Sequence, residues 1–118
     1  MTERMTLLAS SRPLNTVYDT ALLDLDGVVY IGSSAVPAAP EAIDKARAAG
    51  MRVAFVTNNS SRNPAAIAER LTAMGVAAAA RDVVTSAEAA ARLVADRFPA
   101  GSPVLVVGDT GLRTALRD

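Results

Sequence analysis

Residues 21–30 read ALLDLDGVVY, and two aspartates, Asp24 and Asp26, interrupt this otherwise apolar stretch just before Gly27. A short apolar run that ends at a glycine is typical of a buried strand in a parallel sheet covered on both faces. Side chains alternate along a strand, so both carboxylates can face one pocket while Leu25 packs into the layer below. We therefore expect a buried strand with two negative charges at its carboxyl end.

Similar apolar runs alternate with helical patterns along the rest of the chain. The predicted strands are residues 20–25, 51–57, 81–86 and 104–108, and the predicted helices are residues 36–50, 64–75, 86–98 and 109–118. Strands that alternate with helices of this length indicate right-handed βαβ crossovers. The predicted fold class is α/β, with a three-layer, Rossmann-like, mainly parallel sheet.

Helix boundaries are marked by residues with known end preferences. Asn63, directly before a proline, predicts an N-cap, and Thr85 followed by Glu88 predicts another. Gly50 and Gly75 predict left-handed helix ends. These signals agree with the helices inferred from periodicity.

Composition limits the functions that this chain can have. Its 118 residues are 51% hydrophobic, which indicates one small soluble domain, and its 12 basic and 12 acidic residues cancel. Because the basic residues are scattered singly, we expect no nucleic-acid partner. No apolar run approaches a membrane span, so we expect no membrane partner and a cytoplasmic location. Without cysteine or histidine, the chain has no disulfide, thiolate, zinc-cluster or histidine-base chemistry.

The two carboxylates at the first strand end favour a cation. Two like charges held close together cost energy unless a cation or a shared proton offsets them. Mg²⁺ prefers one or two carboxylates, completed by water and substrate phosphate oxygens. One carboxylate could then attack phosphorus while the other moves protons. The alternative is that Asp24 or Asp26 only caps the following turn.

A second polar cluster follows the next predicted strand. Residues 57–62 read TNNSSR and place hydroxyl and amide donors ahead of a helix N-terminus, where an anion is held well. The alternative is ordinary N-cap and turn chemistry. Because two strands both end in groups suited to phosphate, the phosphate interpretation is favoured.

Together, LLDLDGVVY and AVPAAPEAIDKARAAGMRVAFVTNNSSRNP resemble the haloacid dehalogenase-like phosphatases. Within them, the chain is similar to the p-nitrophenylphosphatase-like branch, which includes phosphoglycolate, glycerol-phosphate and pyridoxal-phosphate phosphatases. The resemblance covers residues 20–118. It implies an Mg²⁺-dependent phosphomonoesterase that acts on small phosphorylated metabolites through an aspartyl-phosphate.

The resemblance also implies roles for individual residues. Asp24 would be the nucleophile and an Mg²⁺ ligand, and Asp26 would be the general acid and base, with its backbone carbonyl also on Mg²⁺. Thr57 would bind the transferring phosphoryl group, supported by the amide of Asn58. Further substrate or phosphate contacts are expected at Gly27, Asn59 and Arg62, and Gly27 would free the turn into a mobile covering segment, VVYIGS.

Two expected motifs of that family are not evident. No lysine follows Thr57, and the only lysine, Lys45, is expected on a solvated face of the first predicted helix. Asp109 follows a predicted strand but lacks a second acid at short spacing, so we interpret it as a helix N-cap, although it could replace a missing metal ligand.

These absences predict that the chain is the front part of a longer phosphatase. Residues 1–15 would be a flexible tail, 16–100 the first part of the core, and 101–118 a linker and the start of an inserted α/β cap. The family's sheet would flank the Asp24 strand with a later strand, and without it an apolar edge is bare. We therefore expect an unstable or homo-oligomeric chain, or the docking of residues 104–108 as a substitute strand.

Two non-catalytic alternatives stay open. One is a phosphate- or Mg²⁺-binding remnant, since a missing lysine affects the transition state more than ground-state binding. The other is a receiver-like signalling module, which suits the length but disagrees with the spaced acids, the VVTS of the third strand and the missing late lysine. If the chain is part of a phosphatase, we expect weak or no turnover from these 118 residues.

Overall fold

The computed structural model describes residue 9 and residues 11–59, 62–108 and 110–118. The strands are β1 (Thr20–Asp24), β2 (Tyr30–Ile31), β3 (Ser34–Ala35), β4 (Arg52–Thr57) and β5 (Val83–Thr85). The helices are α1 (Ala39–Ala48), α2 (Pro64–Ala73), α3 (Ser86–Arg97) and α4 (Thr110–Arg117). The predicted α/β class is confirmed. Within these ranges no helix is long and apolar enough to cross a membrane.

Strands β1, β4 and β5 form one parallel sheet in the order β1-β4-β5. Asp24 pairs with Val56, and Thr57 pairs with Thr85. The carboxyl ends of the three strands therefore meet at one edge of the sheet. Asp24 and Thr57, the first residues of the two predicted polar clusters, therefore lie at this edge.

The hydrophobic core lies on one face of this sheet. Phe55 of β4, Leu71 of α2 and Val76 are fully buried, and Ile43 of α1 joins the same cluster. Two successive right-handed crossovers that advance in one direction place α1 and α2 on the same face. The core is therefore a helix layer packed on one sheet face.

The opposite face of the sheet is open in the described chain. Leu22, Val56 and Val84 are exposed by 70%, 39% and 44%. The prediction that the Asp24 strand is covered on both faces is therefore wrong for these residues. The reason is topological: both crossover helices share one face, and β1 lies at the sheet edge with β4 as its partner.

The predicted caps of α2 and α3 are confirmed, whereas α1 begins at Ala39, three residues later than predicted. The Asn63 side chain accepts a hydrogen bond from the N–H of Ala66 at 2.8 Å, and the Thr85 hydroxyl accepts one from the N–H of Glu88 at 3.1 Å. Gly75, which ends α2, has φ +92°, a left-handed conformation that a side chain would strain. Local capping chemistry thus fixes where α2 and α3 begin and where α2 ends.

Residues 104–108 do not form the predicted fourth strand. They carry no regular secondary structure, and Leu105 and Val107 are 90% and 87% exposed. A strand needs a neighbour for its backbone N–H and C=O groups, and no described strand lies beside this segment. Docking of the segment on β1 is likewise wrong, because β4 is the only strand that pairs with β1 within the described sheet. The N-cap role of Asp109 falls outside the described residues.

Candidate active site

Asp24 and Asp26 lie on either side of a buried residue at the end of β1. Leu25 is fully buried, whereas both aspartates are exposed. An Asp24 oxygen, Oδ1, accepts a hydrogen bond from the N–H of Leu25 at 2.9 Å, which orients the carboxylate. The predicted alternation is therefore present, and the two carboxylates stand above the layer that Leu25 occupies.

The backbone after Asp26 turns sharply into a hairpin. Gly27 has φ +79°, and its N–H donates to the carbonyl of Tyr30 at 2.8 Å. The carbonyl of Leu25 accepts from Val28, Val29 and Tyr30 at 3.1, 2.9 and 3.2 Å. Strands β2 and β3 then form an antiparallel pair. The predicted turn at Gly27 is present, and it leads into a two-stranded hairpin.

Thr57 ends β4, one residue beyond Val56, which is the ladder partner of Asp24. Its side chain is only 3% exposed, and its Oγ1 accepts a hydrogen bond from the N–H of Asn59 at 3.1 Å. Because the hydroxyl oxygen accepts this bond, the hydroxyl proton can be donated to a ligand. Thr57 thus offers one fixed donor at the strand end.

The two asparagines after Thr57 are exposed, and Arg62 is exposed at the start of the following turn. The Asn58 carbonyl accepts a hydrogen bond from Ser86 Oγ at 3.2 Å, which ties this turn to α3. Ser60 and Ser61, the other members of the predicted donor cluster, lie outside the described residues.

The pKa of the buried Tyr30 hydroxyl is shifted by burial and by nearby charged side chains. Burial raises the pKa of its hydroxyl, and the carboxylate of Asp26 raises that pKa further. The guanidinium groups of Arg70 and Arg62 lower the pKa of Tyr30, and the carboxylate of Asp24 makes a smaller contribution that raises it. Two acids and two guanidinium groups therefore influence the pKa of this one hydroxyl.

Sequence reasoning missed Arg70 and Tyr30. The guanidinium carbon of Arg70 lies 4.8 Å from the centre of the Tyr30 ring, and its Nη2 donates to the carbonyl of Gly32. Arg70 looked like an ordinary arginine of an amphipathic helix, and no local pattern connects it to the hairpin. Only the tertiary contact reveals it.

Lysine does not contribute to this cluster. Lys45, the only lysine of the chain, forms an ion pair with Glu41 at 3.0 Å, and both side chains are more than 70% exposed on α1. This agrees with the solvated position expected from the sequence. The positive charges that lower the pKa of Tyr30 come instead from Arg70 and Arg62.

A divalent cation could be held only in part by the described residues. They contain no group of three or more acidic side chains that could enclose a metal ion. Asp24 and Asp26 supply two carboxylates, which is the number that Mg²⁺ commonly takes from a protein while it keeps several waters. The donor set therefore fits Mg²⁺ and gives an open site.

Comparisons with known proteins place these features in a family. The pattern of the family described as "Haloacid dehalogenase-like hydrolase" matches residues 21–118. A curated relative, the acid sugar phosphatase of Staphylococcus aureus (strain USA300), is 38% identical over 101 residues. That match covers 86% of this chain and 39% of the relative. The chain thus spans about two fifths of the length of that relative.

Solved structures of phosphatases are also similar to this chain. Glycerol phosphate phosphatase from Mycobacterium tuberculosis in complex with calcium has a TM-score of 0.80 and 36% identity, covering 90% of this chain and 31% of that one. The same enzyme has also been solved with magnesium. The 4-nitrophenylphosphatase from Thermotoga maritima has a TM-score of 0.79 and 27% identity, covering 90% and 40%. The chain belongs to the haloacid dehalogenase-like hydrolase family.

Proposed function

We propose that this chain carries the nucleophile and phosphate-binding half of an Mg²⁺-dependent phosphomonoester hydrolase that acts on small phosphorylated metabolites. The observation that carries the proposal is the register of β1 and β4. The exposed Asp24 pairs with Val56, and the next residue of β4 is the buried Thr57. A nucleophile and a phosphate donor on adjacent strand ends can contact the same phosphoryl group. The matched relatives, named as sugar, glycerol and nitrophenyl phosphatases, support this substrate class.

In the proposed first step, a carboxylate oxygen of Asp24 attacks phosphorus. The bond between phosphorus and the leaving oxygen breaks, and Asp26 donates its proton to that oxygen. The product alcohol leaves, and Asp24 holds the phosphoryl group as an aspartyl-phosphate. Thr57 donates a hydrogen bond from its hydroxyl group to a phosphoryl oxygen throughout.

In the second step, Asp26 removes a proton from water as the water attacks phosphorus. The acyl-phosphate bond breaks, inorganic phosphate leaves, and both aspartates return to their starting states. Asp24 and the carboxylate or carbonyl of Asp26 would hold Mg²⁺. Bound there, Mg²⁺ would offset the charge of the carboxylates and polarise the phosphoryl oxygens. Asn58 would support the phosphate, and Gly27, Asn59 and Arg62 would contact substrate.

We expect weak or no turnover from the 118 residues alone, because no lysine follows Thr57 to neutralise the phosphoryl oxygens. Electrostatic stabilisation carries most of the catalysis in phosphoryl transfer. That absence also favours a second candidate, a non-catalytic domain that binds Mg²⁺ and phosphate. The receiver-like interpretation has no comparable support, because the chain belongs to a hydrolase family. A cytoplasmic location and a homo-oligomer stay predictions.

The test is the hydrolysis of 4-nitrophenyl phosphate with Mg²⁺ and with EDTA. Asp24→Asn is the test variant, and Asp19→Asn, which alters an exposed acid just before β1, is the matched control. Activity that needs Mg²⁺ and disappears only in Asp24→Asn supports the hydrolase. A folded, inactive chain that Mg²⁺ still stabilises through Asp24 supports the non-catalytic candidate. Activity that survives Asp24→Asn would contradict both.

A further inference from the structure

One arginine joins the hairpin to the helix that follows the phosphate-binding turn. The guanidinium of half-buried Arg70 on α2 stacks on the Tyr30 ring at 4.8 Å and also donates to the carbonyl of Gly32. Tyr30 begins the hairpin, and Gly32 lies in its turn. A single side chain therefore holds both the base and the tip of the hairpin. The planar guanidinium cation stacks on the ring, and one of its N–H groups donates the hydrogen bond to the carbonyl.

The hairpin in turn fixes the backbone of Asp26. Asp26 forms an isolated bridge with Tyr30, and the N–H of the next residue, Gly27, donates to the Tyr30 carbonyl at 2.8 Å. A displacement of Tyr30 would therefore move Asp26 with it. Asp24, by contrast, is held by the β1–β4 ladder and by its bond to the Leu25 N–H.

Helix α2 is itself fixed relative to Thr57. It begins after the turn that follows Thr57 and is capped by Asn63, whose side chain accepts from Ala66 at 2.8 Å. Its core side chains Ile67 and Leu71 are buried against the sheet. Arg70 therefore connects a segment that carries Asp26 to an element that is rigid with respect to Thr57.

We propose that Arg70 is a positioning residue that holds the hairpin on α2 and so sets Asp26 relative to Asp24 and Thr57. The proposal rests on the proposed function in so far as Asp26 is the general acid. Among the described residues, the ring and hydrogen-bond contacts given for the Arg70 side chain are both with the hairpin, and Arg70 is given no contact with the phosphate. Its removal should therefore loosen Asp26 and leave the nucleophile in place.

A second arginine offers a matched control. Arg47 on α1 lies 5.7 Å from the Phe55 ring centre and donates through Nη1 to the carbonyl of Ala77. It makes the same two kinds of contact as Arg70, to a ring and to a carbonyl. Neither of its partners belongs to the hairpin or to the strand ends. A general loss of packing should therefore affect both arginine variants alike.

The first experiment measures amide hydrogen exchange in Arg70→Met, Arg70→Lys and Arg47→Met. Met keeps an apolar stem and removes the cation and its donors, and Lys restores the cation. The reporters are the N–H groups of Gly27 and Val36, which donate to Tyr30 and Val29 at 2.8 Å. We expect exchange to rise on the order of tenfold in Arg70→Met, partly recover in Arg70→Lys, and stay unchanged in Arg47→Met. Unchanged exchange in Arg70→Met, or an equal rise in Arg47→Met, would overturn the proposal.

The second experiment uses the leaving group as a probe of Asp26. A misplaced general acid slows poor leaving groups more than good ones, so phenyl phosphate should lose on the order of tenfold more rate than 4-nitrophenyl phosphate in Arg70→Met. Equal losses on both substrates would overturn a role through Asp26. If the folded wild type hydrolyses neither substrate, that result favours the non-catalytic candidate, and the exchange experiment alone then decides whether Arg70 holds the hairpin.

Discussion

Thr57→Val removes one hydroxyl from the strand end and leaves the packing intact. Valine has nearly the shape of threonine, and the side chain at position 57 is only 3% exposed. The variant loses the hydrogen bond that Oγ1 accepts from the N–H of Asn59 at 3.1 Å. It also loses the hydroxyl donor that we propose binds the phosphate. It therefore separates a small structural loss from a larger functional one.

The structural loss follows from a single hydrogen bond, which contributes about 1 kcal/mol to the free energy of unfolding. For 118 residues, an unfolding entropy of about 0.25 kcal/mol/K converts that into a Tm decrease of about 4 °C. A hydrogen bond to a charged phosphate contributes more, about 1.5–3 kcal/mol. The affinity for inorganic phosphate in the presence of Mg²⁺ should therefore fall about tenfold to a hundredfold.

Thr85→Val is the matched control for this measurement. Thr85 pairs with Thr57 in the ladder, is 2% exposed, and accepts a hydrogen bond from the N–H of Glu88 at 3.1 Å. Both variants should lose similar stability in thermal unfolding, whereas only Thr57→Val should lose phosphate affinity in calorimetric titration. Equal loss of affinity in both variants, or none in Thr57→Val, would refute the assignment of Thr57 to the phosphate.

Three further predictions concern the fold. Asn63→Ala should lower the free energy of unfolding by about 1 kcal/mol in urea denaturation, because the cap of α2 is lost, and Asn63→Ser should retain most of it. Because the pKa of Tyr30 is raised from its ordinary 10.0, its stabilising contribution is full below about pH 10 and is lost as pH rises through the folded value. Tyr30→Phe should flatten this alkaline decline in unfolding free energy, while Tyr18→Phe, at an exposed ring, should leave it unchanged. If the open sheet face drives self-association, Leu22→Lys, at a side chain 70% exposed, should reduce the sedimentation coefficient of the chain; a monomeric wild type would contradict this.

The sheet and its polar edge were predictable because their determinants are local. Alternation around Leu25 sets Asp24 and Asp26 on one side, and Asn63 and Thr85 mark helix starts by side-chain capping. Each of these features depends on residues within a few positions of one another. The ends of parallel strands then meet at one edge by topology, without any long-range contact having to be known.

What the sequence could not predict depends on partners distant in the chain. Arg70 reaches Gly32 across 38 positions, and no periodic pattern marks such a contact. Residues 104–108 have strand-like composition, but composition cannot supply the neighbouring strand that pairing requires, and Leu105 is 90% exposed. The prediction that Leu22 is covered was wrong for a similar reason. The direction of the crossovers decides which face of the sheet receives helices, and this direction is not visible in a local pattern.

The central claim is that Asp24 accepts the phosphoryl group, and the most direct measurement is the mass of the phosphorylated protein. The chain is incubated with acetyl phosphate and Mg²⁺, quenched in acid, and analysed by intact mass and peptide mapping. We predict one added phosphoryl group on Asp24, absent with EDTA and in Asp24→Asn, and accumulating in Asp26→Asn because water is no longer activated. No added group on the folded wild type, or one that persists in Asp24→Asn, would contradict the claim.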